Sequence, residues 1–142
     1  MKTSISVAFV SLTLAITGLA TAQIKRTPSP PGAEVYFITP KDGATVSSPV
    51  TVKFGLKGMG VAPAGTAMEN TGHHHLIIDA DLPPLDAPVP ADANHVHFGK
   101  GQTETTVELK PGKHTLQLLL GDQAHVPHDP AVVSKKITIT VK

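Results

Sequence analysis

Val50, Val52, Phe54 and Leu56 alternate with Thr51, Lys53 and Gly55, a period of two that a half-buried β-strand requires and a helix cannot use. The same period returns where His114, Leu116, Leu118 and Leu120 alternate with Thr115, Gln117 and Leu119. It closes the chain in Val133–Val141, with Ile137, Ile139 and Val141 inward and Thr138 and Thr140 outward. Turn-forming residues stand between such runs: Pro40 with Asp42-Gly43, Gly99-Lys100-Gly101, and Pro111-Gly112. Glu34–Ile38, His73–Asp79, His95–Phe98 and Thr103–Leu109 supply the remaining strand candidates. Asp81–Asn94 holds Pro83, Pro84, Pro88 and Pro90, which rules out a regular ladder there. The pattern contains no amphipathic helix and no internal repeat. It predicts an all-β fold, an immunoglobulin-like antiparallel β-sandwich of about seven strands, in preference to a closed barrel.

The sandwich is expected over residues 34–142. Lys2, the apolar run Ile5–Leu19 and the small-x-small sequence Ala20-Thr21-Ala22 read as a secretory signal peptide over residues 1–22. The run is too short and too rich in Ser and Thr for a membrane span. Residues 23–33, with Pro28, Pro30 and Pro31, read as a flexible Pro-rich linker outside the core. A periplasmic or secreted location follows. The chain has no cysteine, which excludes disulfides, thiolate ligands, thiol catalysis and a lipidated cysteine anchor. Once Lys2 leaves with the signal, Lys+Arg balance the 11 Asp+Glu. That balance points away from nucleic acid or an anionic membrane surface as partner; no protein partner is indicated.

Seven of the eight histidines fall in three short segments: His73-His74-His75, His95-Val96-His97, and His125 with His128. Side chains alternate across a strand, so His73 and His75 share a face opposite to His74, Leu76 and Ile78. By the same parity His95 and His97 lie opposite to Val96 and Phe98. With the apolar residues inward, His73, His75, His95 and His97 project from the other face and form a four-cornered patch if their strands are neighbours. Alternate residues on a strand stand about 6.6 Å apart and adjacent strands about 4.8 Å apart, so imidazoles across either span can share an ion. His125 and His128 lie in a loop that can bring further ligands over the patch. His114, on the leucine face, reads as structural, and His74 as a buried or supporting group.

Donors of this kind suit copper, zinc or nickel, whereas calcium and magnesium call for oxygen cages. Copper(II) is the first choice because affinity among divalent first-row ions peaks there. Met59 and Met68 flank the cluster, though methionines in such loops more often fill gaps.

Glu34-Val35-Tyr36-Phe37 through Pro40-Lys41-Asp42-Gly43, Val52-Lys53-Phe54-Gly55-Leu56, Gly72-His73-His74-His75-Leu76, His97-Phe98-Gly99-Lys100-Gly101-Gln102-Thr103-Glu104 and Pro111-Gly112-Lys113-His114-Thr115-Leu116 occur in that order. Together they resemble the bacterial exported family catalogued as domain of unknown function 4399, from about Gly32 to Val141. The resemblance implies a small periplasmic β-domain and no particular activity. The Pro-x-Asp-Gly opening is also similar to periplasmic copper-resistance carriers with immunoglobulin-like folds, over the first two strands.

Three readings stand open. The first is a periplasmic histidine-rich protein that carries or buffers copper, with His73, His75, His95, His97, His125 and His128 as metal ligands. The second is a metal-independent immunoglobulin-like binding or accessory module with a pH-sensitive histidine surface. The third is a copper enzyme of the superoxide dismutase type, locally similar around His95-Val96-His97-Phe98-Gly99. It is the least favoured, because the supporting disulfide is impossible here. A Ser-His-Asp constellation is also missing, since Ser29, Ser47, Ser48 and Ser134 lie outside the histidine segments.

Overall fold

The computed structural model of the protein describes residues 24–142. The expected signal segment, Met1–Ala22, lies outside the described residues. Each of the seven expected strands forms: β1 (Glu34–Thr39), β3 (Val50–Lys57), β5 (Thr71–Ile78), β6 (His95–His97), β7 (Glu104–Val107), β8 (Gly112–Gly121) and β9 (Ile137–Val141). Two short strands join them, β2 (Thr45–Val46) and β4 (Gly60–Val61). Among the described residues there is no helix, and so none long and apolar enough to cross a membrane.

One sheet has the order β1-β3-β7 and the other β2-β9-β8-β5-β4, with β6 also paired to β5. Pairing is antiparallel except at β2–β9 and β4–β5. Of the seven expected strands, the first, second and fifth therefore face the third, fourth, sixth and seventh. This is a two-sheet β-sandwich that differs from the constant-type immunoglobulin partition in its fourth strand, which lies with the third instead of the first. The alternating residues meet between the sheets: Val35, Phe37, Val50, Val52 and Phe54 pack against Leu76, Leu116, Leu118, Leu120, Ile137, Ile139 and Val141. Each such side chain, fully buried, contributes about 1.5–3 kcal/mol.

The outer face of the larger sheet departs from simple alternation. In β5 every residue from Gly72 to Ile78 is buried, and in β8 every residue from Leu116 to Gly121. A second apolar layer accounts for this: Ile77 and Leu119 pack under Val89, with Ala80, Leu85 and Val133 around them. The proline-rich stretch, unable to join a ladder, lies across the sheet as a cover. Its Val89 N–H donates to the His125 carbonyl at 2.9 Å, which joins it to the loop after β8.

The segment expected as a free linker is tied to that same loop. Arg26 donates to the Pro127 carbonyl at 3.0 Å and also to that of His128. Ser29 N–H donates to Asp129 O at 3.1 Å, and Asp129 N–H donates to Thr27 O at 2.9 Å. An extended chain leaves its backbone groups unpaired, and here the loop carrying His125 and His128 satisfies them.

Candidate metal centre

His73 and His75 stand two residues apart on β5 and point away from the space between the sheets, as their parity requires. They do not reach solvent, however: they are 0% and 1% exposed, beneath the covering loops. Across the antiparallel ladder His75 is opposite His97, Leu76 opposite Val96, and Ile77 opposite His95. That register brings His97 to the cluster and carries His95 two rungs beyond His75, away from His73. His95 instead sits beside Ile77 with its Nδ1 2.8 Å from Asp92 Oδ1. The expected four-cornered patch thus loses one corner.

The loop after β8 fills it. On that side His73 is opposite Gly121, which has no side chain to occupy the space. A Cβ on Gly121 would lie 2.6 Å from His75 Cε1 and 3.4 Å from the backbone of His125. The bare backbone lets the His75 ring and the returning loop share one volume. Gly99 does the same for His97, whose Cε1 would be 2.3 Å from a Cβ there. His125 is delivered in the left-handed backbone region, φ 66°, a conformation that costs a non-glycine residue on the order of 1–3 kcal/mol and persists only where neighbours fix it.

His73, His75, His97 and His125 each present a ring nitrogen, and the four nitrogens lie within 4.8 Å of one another. Ring centroids are 4.7 Å apart for His73–His75, 4.9 Å for His73–His97 and 4.6 Å for His97–His125. His73 Nε2 and His125 Nδ1 stand 3.1 Å apart, one donating to the other. The remaining polar atoms are poorly satisfied. His73 Nδ1, both nitrogens of His75 and His97 Nε2 are buried without a hydrogen-bond partner among the described residues. Buried polar atoms are ordinarily paired, and leaving one unpaired costs about 1–3 kcal/mol. Rings that carry such unpaired atoms and each bring a nitrogen within 4.8 Å of the others are an arrangement a cation would satisfy.

The electrostatics keep these rings in the ligating form. Burial, reinforced by His97 and His125, lowers the His73 pKa from 6.5 to about 4. Burial and the three neighbouring imidazoles bring His75 to about 3. His97 is lowered too, by burial and then by His125. Neutral imidazole is the form that binds metal. His114 provides the contrast: Asp79 Oδ2 is 2.6 Å from its Nδ1 and the Lys110 carbonyl 2.8 Å from its Nε2, and these raise its pKa.

The other histidines lie elsewhere. His128 is fully buried, and its Nε2 donates to the Thr71 carbonyl at 3.1 Å, so it joins the loop to the start of β5. His74 faces between the sheets with its ring 5.1 Å from that of Phe54. Both its nitrogens lack partners among the described residues, and burial lowers its pKa to about 4. Of the six expected ligands, the structure brings together His73, His75, His97 and His125, and leaves His95 and His128 outside the group. The four can hold a metal ion.

The family model described as "Domain of unknown function (DUF4399)" matches residues 52–142, a range that includes all four clustered histidines. Glu34–Gly43, part of the sequence resemblance, precede the matched range. No curated protein and no solved structure matches the chain.

Proposed function

The chain belongs to the DUF4399 family, whose description assigns no activity, and we propose, from the site and from the export signal expected in the sequence, that it binds copper through His73, His75, His97 and His125 and carries or buffers it in an exported compartment. The observation that carries this reading is the convergence of four imidazole nitrogens within 4.8 Å, with His73 and His75 fully buried and His73 Nδ1, both His75 nitrogens and His97 Nε2 without hydrogen-bond partners among the described residues.

The donor set argues for the metal. All four ligands are nitrogens of intermediate softness, a set that copper(II), zinc and nickel accept and calcium and magnesium do not. Bonds of about 2.0 Å put opposite nitrogens of a tetragonal copper(II) site about 4 Å apart and the nitrogens of a tetrahedral zinc site about 3.3 Å apart. The four nitrogens, all within 4.8 Å of one another, can close around either ion, and copper is proposed because affinity among divalent first-row ions peaks there. The export signal read in Met1–Ala22 supports a location where cytosolic thiols do not compete for copper.

A solvated histidine surface responding between pH 5 and 7 fits less well, because His73, His74 and His75 are fully buried and hold protons only near pH 3 to 4. The test is a titration of tag-free protein with copper(II), zinc(II) and nickel(II) against competing chelators. The reading expects one tight equivalent, with copper strongest. Affinity no better than that of isolated histidine would refute it.

A further inference from the structure

Asp122 is 5% exposed, and its carboxylate is spent on the loop that presents His125. Its Oδ1 accepts from Ala124 N–H at 2.9 Å and from Val126 N–H at 3.0 Å, so it brackets His125 on both sides. The backbone repeats the clasp: His125 N–H donates to Asp122 O and Asp122 N–H to Val126 O, both at 2.9 Å. These bonds hold His125 in its left-handed conformation. The second oxygen, Oδ2, accepts from Thr27 Oγ1 at 2.6 Å. Thr27 belongs to the segment that Arg26 and Ser29 fasten to residues 127–130. Asp122 is also the acidic group whose charge acts on His73, while the four clustered imidazoles carry none to offset a bound cation.

We infer that Asp122 is the positioning residue of this centre: it aims His125 at the ion, supplies the balancing negative charge, and through Thr27 lets docking of the N-terminal segment set metal affinity. The inference rests on the metal-binding reading. Carboxylates that orient a ligating imidazole without touching the metal typically change affinity 10–100-fold when removed.

The experiment compares wild type, Asp122→Ala, Asp122→Asn and Thr27→Val as full-length, tag-free proteins. Copper(II) affinity is measured against a chelator at pH 7, and coordinated imidazoles are counted by pulsed electron paramagnetic resonance. Asp122→Ala should bind copper about 10–100-fold more weakly and lose one imidazole, because His125 is no longer held. Asp122→Asn keeps an oxygen for both N–H donors, so it should retain the wild-type imidazole count while losing affinity with the charge. Thr27→Val should keep the count and lose less affinity than Asp122→Ala. Wild-type affinity and imidazole count in Asp122→Ala would overturn the inference while leaving the metal reading intact. If the alanine variant does not fold, wild-type affinity in both Asp122→Asn and Thr27→Val would overturn it. Failure of the wild type to bind copper removes the metal reading, and this inference falls with it.

Discussion

His75 and His97 are register partners on β5 and β6, with ring centroids 5.1 Å apart and planes inclined by 30°. A shift of that register would seat a different histidine beside His75, so this pairing decides which member of the His95-Val96-His97 motif reaches the cluster. Single substitutions should separate the two. His97→Ala should lower copper affinity at least about 100-fold, and His95→Ala should leave it within about threefold, measured by chelator competition. Equal losses in the two variants would place the ion elsewhere.

Much of this was legible in the sequence, and the limits have identifiable causes. Period-two alternation located the seven strands because one face of each is apolar, and parity placed His73 and His75 on a face opposite to His74. Parity says nothing of which rung meets which, and that alone separates His95 from His97. Nor does it reveal that Val89, Leu85 and Val133 pack over Ile77 and Leu119 on the outer face, or that His73 and His75, expected in solvent, are fully buried. His125 was a candidate only as a loop residue; its place depends on Gly121 being bare opposite His73.

Gly121→Ala and Gly99→Ala should fail differently. At Gly121 the new methyl meets the fully buried His75 ring and the backbone of His125, neither able to retreat. Overpacking of this kind costs about 1–3 kcal/mol, so both melting temperature and copper affinity should fall. At Gly99 the obstacle is the half-buried His97 ring, which can swing aside. There affinity should fall with little change in melting. Calorimetry of the metal-free proteins alongside titration checks the contrast.

The metal-free protein should lose stability on acidification. His73 and His74 have folded pKa values of about 4 and His75 about 3, against 6.5 unfolded. Between pH 6.5 and 4 the unfolded chain therefore binds protons that the folded chain refuses, and stability falls as pH falls through that window. His114 opposes the trend: its raised pKa gives stability that is complete below 6.5 and is lost as pH rises through the folded value. Three buried rings should outweigh one exposed pair. Urea denaturation at pH 7 and pH 4.5 checks the sign, and Asp79→Asn should steepen the loss.

His74 should be dispensable for metal. Its ring packs on Phe54 with both nitrogens unpaired among the described residues. Replacing a buried, unsatisfied polar group by an apolar one of similar size is close to neutral or stabilising. His74→Leu should therefore melt at or above the wild-type temperature and bind copper with unchanged affinity. Reduced affinity in this variant would make His74 part of the centre.

The most direct measurement is the count of imidazoles on copper(II) bound to tag-free protein, taken together with its stoichiometry. The account predicts one ion per chain held by four imidazoles, with the count falling to three in His125→Ala. Copper bound by fewer than three imidazoles, or an unchanged count in His125→Ala, would contradict it.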